Sequence, residues 1–257
     1  MSAKAATRIT YTGLPGIPLI GEGDDLAAII SAALHEAGIA LMSGDVLVIA
    51  QKIVSKAEGR RVHLSAFTPS TEAHRLAEIV KKDPRHVEAI LSESTEVIRA
   101  SEGVLIVAHR LGFVMANAGI DQSNVGDDPE AILMLPLDPD ATCARLKAAL
   151  DARHQAEIAV IINDSFGRAW RNGVVGVAIG AAGIPALQSL VGDPDLHGRA
   201  LRITEVALAD ELAAAASLVM GQSAEGLPVV HVRGFAASGQ RSNAAALIRP
   251  KERDLFR

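Results

Sequence analysis

Cysteine is nearly missing from this chain: Cys143 stands alone among 257 residues. One thiol excludes a disulfide framework and a cysteine-based zinc site within the chain. Aromatic residues make up only 3%, so the core has to be aliphatic, built on Ala, Val, Ile and Leu. No apolar run approaches the length of a membrane span without a charge or a breaker, and no apolar signal core follows Met1-Ser2-Ala3-Lys4. These absences predict a soluble protein of a reducing compartment, most simply the cytoplasm, with no membrane partner. Positive charge is also short. Twenty-five Lys and Arg face 30 Asp and Glu, a formal net charge of -5, which argues against a nucleic-acid backbone binder.

The common catalytic signatures are absent as well. No G-x-x-x-x-G-K-[ST] occurs, and the glycines at 13, 16, 21 and 23 or at 173, 176, 180 and 183 do not form G-x-G-x-x-G. The eight histidines contain no H-E-x-x-H. There is no G-x-S-x-G elbow, and Cys143 falls in a helical pattern, so nucleophilic serine or cysteine chemistry has no support. A nucleotide bound here would need an uncommon fold.

What is present is a chain with 49% hydrophobic residues, enough for one large domain or two small lobes. Residues 13–23 are rich in Gly and Pro and cannot form a helix interior. Helices are expected over about 25–38, from Ser70 to Lys82, from Pro84 to Glu93, over 140–153 and from Asp210 to Met220. Strands are expected at Val46–Ala50, Val104–Ala108, Phe113–Ala116, Glu157–Ile162, Leu201–Leu208 and Val229–Val232. Residues 173–187 are Gly- and Ala-rich and suit close backbone approach, including approach to a flat ring. The tail from Ser238 is expected to be weakly ordered. The interleaving predicts an α+β fold with mixed sheets and helices, neither P-loop nor classical Rossmann.

Two acidic stretches follow apolar runs: NAGIDQSN at 117–124 and NDSFGRAWRNG at 163–173. Asp121 and Asp164 could each simply hold a turn. Alternatively, with Asn117, Asn124 and Ser165 as further oxygen donors, they suit a hard divalent cation such as Mg2+ or Mn2+. Arg168 and Arg171 are either solvated or anion contacts. Lys52 and Lys56, after the strand ending at Ala50, are either exposed strand-end residues or point charges for phosphate. Residues 221–228 could be a plain connector.

Taken together, GIPLI at 16–20, GDVLVIAQKIVSKAEGR at 44–60, NAGIDQSNV at 117–125, NDSFGRAWRNGVVGVAIGAAG at 163–183, DLHGR at 195–199 and MGQSAEGLPVVHVRG at 220–234 resemble the coenzyme F420-0:L-glutamate ligase family. The resemblance spans nearly the whole chain. It implies a GTP-dependent ligase that adds L-glutamate, and in some cases further γ-linked glutamates, to the deazaflavin coenzyme F420-0. It further implies Mg2+ or Mn2+, K+, a homodimer, and one module over 1–257 of two intertwined lobes without a C-terminal flavin-binding domain. The implied metal ligands are Asp121, Asp164, Ser165 and Gln222, the last often Glu in that family, with Glu225 as a substitute. Implied guanine-nucleotide contacts are Ile17, Pro18, Leu19, Ile20, Gln51, Lys52, Lys56 and Asn124, together with Met220, Gly221, Gln222, Ser223, Ala224, Glu225, Gly226 and Leu227. Lys56 and Arg168 are the candidates for offsetting charge on a transferring phosphoryl group. The rival readings are a ligase with another carboxylate acceptor and a non-catalytic binder of F420 or nucleotide.

Overall fold

The computed structural model describes residues 7–126, 128–236 and 238–254. Its central sheet has five strands in the order β1 (Thr10–Gly13), β12 (Val229–Arg233), β2 (Val46–Ala50), β8 (Ala159–Arg168) and β9 (Arg171–Ala182). Only the β2–β8 pair is parallel; the other pairs are antiparallel. In a strand the side chains alternate between faces, and β2 shows it. Leu47 and Ile49 join a core with α1 (Leu26–Glu36) and α5 (Pro139–His154). Val46 and Val48 join a second core under α6 (Leu208–Met220). The sheet is therefore covered on both faces, which explains the unbroken apolar run at 46–50. Each fully buried Leu or Ile here contributes roughly 1.5–3 kcal/mol.

Between β2 and α5 the chain leaves this sheet and builds a separate core. After α2 (Gln51–Ala57) come β3 (Arg61–His63), α3 (Thr71–Val80), α4 (Pro84–Ser92), β4 (Ser94–Ser101), β5 (Val104–His109), β6 (Val114–Ala116) and β7 (Ala131–Leu133). β4, β5 and β6 form a three-stranded antiparallel sheet, and β3 pairs with β7. Leu76, Val80, Val87 and Ile90 of the two helices pack with Leu105, Val107 and Ile132. The helix starts follow capping chemistry: Asp25, Ser70, Asp83 and Asp138 each accept a backbone N–H of the first turn, and Pro84 and Pro139 open their helices.

Several sequence expectations need correction. Residues 51–57 form α2, and β1, β3, β4 and β7 were not foreseen. Strand β8 does not stop at Ile162 but runs through Asp164 to Arg168 and turns back at Ala169–Trp170 into β9. The second acidic stretch is thus a β-hairpin, not a loop. Of Leu201–Leu208 only Glu205–Val206 is strand (β11), paired with β10 (Gln188–Ser189), and Leu208 already begins α6. The tail is docked as far as it is described: Ala244 is buried, and the Asp140 carboxylate accepts the N–H groups of Ala244 and Ala245 as well as that of Ala181 on the free edge of β9. Close approach at the Gly/Ala strand is real, but helices use it. A Cβ at Gly176 would overlap the Ala213 carbonyl, and one at Gly180 would lie 2.6 Å from Pro139 backbone.

Candidate functional site

Register places the candidate residues at one edge of the central sheet. β2 ends at Ala50, which pairs with Asn163 just before Asp164. β12 begins there too, with Ala50 N–H donating to Pro228 O at 2.8 Å. β1 ends beside them, since Gly13 pairs with Val230. The segments 14–20, 51–56 and 221–228 therefore all leave the sheet at the edge where the β8–β9 hairpin continues outward.

Asp121 arrives from the other lobe. Three successive residues with positive φ, Asn117, Ala118 and Gly119, turn the chain after β6. Asp121 is then clamped by its backbone to Leu133, with N–H···O distances of 2.9 and 2.8 Å in the two directions. Its Oδ2 accepts from Gln51 Nε2 at 2.8 Å and lies 3.0 Å from Lys52 Nζ. Lys52 also reaches Ser123 Oγ at 3.0 Å. Gln51 is buried, and its Oε1 accepts from Ser55 Oγ at 2.9 Å, one helical turn on. Asp164 faces the same group. Burial, and next the charge of Asp121, push its pKa up to about 7, against which Gln51 and Lys52 act. Two carboxylates are thus held close enough to repel, with one amide and one ammonium nearby to offset them.

Ser165, next on the strand, points to the opposite face, where its Oγ donates to Gln222 Oε1 at 2.8 Å. The four implied metal ligands therefore form two pairs either side of β8: Asp121 with Asp164, and Ser165 with Gln222. Among the described residues no group of three or more His, Cys, Asp or Glu gathers as a metal site. The carboxylate pair suits a hard divalent cation with open positions, while the Ser165–Gln222 pair offers only neutral oxygens on the other face. The Lys52 ammonium already occupies a cation's place against Asp121.

Lys56 lies one turn after Lys52 on α2. Burial, then the charges of Lys52 and Arg61, hold its ammonium below the usual lysine range. Three cations so arranged, two of them on one helix face, are a ready anion site. Ile17 packs partly on the first core, Ile20 is buried and Leu19 is almost fully exposed. Met220 is buried at the end of α6, while Leu227 lies against Gly13. Asn124 Nδ2 reaches Ser223 O at 3.5 Å, joining the Asp121 loop to the segment after α6.

A model of the family described as F420-0:gamma-glutamyl ligase matches residues 16–234. The chain is 49% identical to a coenzyme F420:L-glutamate ligase of Methanothermobacter thermautotrophicus, covering 97% of this chain and 99% of that one. It is 46% identical to the protein of the same name from Methanopyrus kandleri over 91% and 92%. A third, from Archaeoglobus fulgidus, is 40% identical over 97% of both chains. This chain belongs to the F420-0:gamma-glutamyl ligase family.

Within this ligase-family chain some candidates stand apart from the Asp121–Asp164 group. Arg168 is at the hairpin tip beside Arg171, four strand residues or ~13 Å along the chain from Asp164. Glu225 turns back on its own loop, where Oε2 accepts Ser223 N–H at 2.8 Å. Asn117 Oδ1 accepts the Leu105 N–H at 3.1 Å and so serves the turn rather than the carboxylates. Ser55, Arg61 and Ser123 were not singled out from sequence. A helical reading of 51–57 would have put Ser55 one turn from Gln51 and exposed its role.

Proposed function

We propose that this protein is a GTP-dependent ligase that joins L-glutamate to coenzyme F420-0. The observation that carries this reading is the meeting of Asp164 with Asp121, itself held by Gln51 and Lys52, beside the Lys52–Lys56–Arg61 cations, in a chain of this family. A carboxylate and an amine do not condense in water without activation. A carboxylate oxygen of F420-0 attacks the γ-phosphorus of GTP, the bond to the β–γ bridging oxygen breaks, and GDP leaves. The α-amine of L-glutamate then attacks the acyl carbon, inorganic phosphate departs, and the amine releases a proton as the amide forms.

Positioning and charge neutralisation dominate such phosphoryl transfer. Mg2+ or Mn2+ held by Asp121 and Asp164 would neutralise phosphate charge, Ser165 and Gln222 would offer neutral oxygens to a second cation on the other face of β8, and K+ would add to it. Lys52 and Lys56 hold phosphate oxygens as point charges. Gln51 keeps the two carboxylates at their spacing whether or not a cation is present. The segments Ile17–Ile20 and Met220–Leu227 border the place a nucleotide would take. Arg168 reaches the transferring group only through movement of the hairpin or from a second subunit of a homodimer.

The test is product mass spectrometry after incubation with F420-0, GTP, L-glutamate and Mn2+. A mass gain of one or more glutamyl residues with matching GDP release is expected. No glutamyl product rejects the ligase reading, and tight binding of F420-0 without GDP release would favour a non-catalytic binder.

A further inference from the structure

A trench runs along the free edge of β9. Its main part is a cavity of about 830 Å³ lined by residues that include Leu111, Phe113, Ala141, Ala144, Ala245 and Ile248. The walls come from the second lobe, from the first turns of α5 and from the docked tail. Small side chains on α5 and the tail leave room, and Leu111, Phe113 and Ile248 make the walls mostly apolar. Arg110 and Arg241 line its polar margin, each already paired, with Glu93 and with Glu157. The volume falls in the range of small-ligand sites, which are mostly apolar with a few placed polar groups.

The trench does not end there. A smaller hollow of about 210 Å³ shares Phe113 and Ile248 and extends to Phe166 and Val177. Phe113 and Phe166 meet edge to face, ring centroids 5.8 Å apart. Val177 is the cross-strand partner of Asp164, and cross-strand partners project from the same face. Phe166, two residues beyond Asp164 on the same strand, shares that face too. The hollow therefore ends at the β9 partner of Asp164, with Asp210, Arg249 and Asp254 also on its wall.

We infer that this trench holds the ring system of the acceptor, a flat multi-ring aromatic whose anionic tail extends past Phe166 and Val177 to the Asp121–Asp164 end. The inference rests on the ligase reading above and adds the place of the ring. Its shape accounts for the chemistry: an apolar slot orients a planar body, while the charged reacting carboxylate stays at the polar end.

Ala144 and Ala245 are exposed residues on the trench wall, so Ala144→Trp and Ala245→Trp fill the slot without touching a core. Calorimetric titration with F420-0 in the absence of L-glutamate is expected to show affinity at least ten-fold weaker in both variants. Affinity for GTP with Mn2+ should stay within two-fold of wild type, and melting curves should coincide. Wild-type binding of F420-0 with undiminished binding by both variants overturns the trench alone. Failure of the wild type to bind F420-0 at all overturns the ligase reading and the trench together.

Discussion

At Gln51 a single buried amide does two jobs. Its Nε2 donates to Asp121 and its Oε1 is fixed by Ser55, so the amide cannot flip without breaking both contacts. Asp164 then has a permanent neutral neighbour, yet the charge of Asp121 still raises its pKa to about 7 after burial has done so. A divalent cation relieves that repulsion, and its binding stabilises the fold by about 2.7 kcal/mol at a hundred-fold excess over Kd. Mn2+ should therefore raise the melting temperature of the wild type. In Asp121→Asn or Asp164→Asn the rise should vanish and Mn2+ affinity, read by electron paramagnetic resonance, should fall at least ten-fold. Unchanged Mn2+ affinity in both variants would remove these carboxylates from the cation site. Lys56→Ala should leave Mn2+ binding intact while raising the KM for GTP several-fold, because its ammonium is held for anions and not for the carboxylates.

The hairpin of β8 and β9 is the element that carries the site, and glycine sets how it is held. Gly176 meets the backbone of α6 at Ala213 on one side, and Gly180 meets α5 at Pro139 on the other. A side chain at either position meets helix backbone first, with the Asn163 amide also in the way at Gly176, so relaxation must move a helix. Gly176→Val should destabilise by about 2–4 kcal/mol, towards the upper end of overpacking penalties, and should lower ligase activity through displacement of Asp164, its neighbour by one residue in the β8–β9 register. Urea unfolding provides the check; a midpoint equal to wild type would mean that α6 yields freely. Helix caps and the buried strands at 46–50 and from 159 were legible because local chemistry and apolar runs decide them. The hairpin was not: Asp164, Ser165 and Gly167 read as turn residues, while long-range pairing with β9 holds them in strand. Helix α2 was missed for a related reason, since it follows β2 without an N-cap side chain. At the site, apolar runs ending near 121 and 164 suggested one shared sheet edge, but Asp121 comes in beside Leu133 from outside the central sheet, a long-range approach that the runs do not reveal. The splitting of Asp164 from Ser165 onto opposite faces follows only once that stretch is known to be strand.

On the scale of the whole molecule, the lobes meet at a buried carboxylate. Glu93, just after α4, pairs with Arg60 at 3.0 Å and Arg110 at 2.9 Å, and lies 3.4 Å from His109. Arg60 also donates to Leu135 O and Arg110 to Leu137 O, on the segment that returns the chain to α5. Burial alone would raise the pKa of Glu93, but the His109 imidazole 3.4 Å away and the two guanidinium charges outweigh it and hold the value at about 2. An acid depressed by folding from 4.5 to about 2 stabilises the fold fully above 4.5, and that stability is lost as pH falls towards 2. The ceiling is about 3 kcal/mol, the shift times 1.36 kcal/mol per unit. Glu93→Gln should therefore lose about 2–4 kcal/mol at pH 7, since it also leaves two arginines without their counter-charge. Below about pH 3 the difference should shrink, because the wild-type carboxyl is then taking up its proton as well. Urea titrations at a series of pH values measure both. A constant gap from pH 7 to 2.5 would mean that Glu93 acts by shape and not by charge. With the trench flanked by Arg110 on one lobe and α5 on the other, the same substitution should weaken binding of a flat acceptor more than binding of GTP, whose candidate contacts lie at the sheet edge beyond this joint.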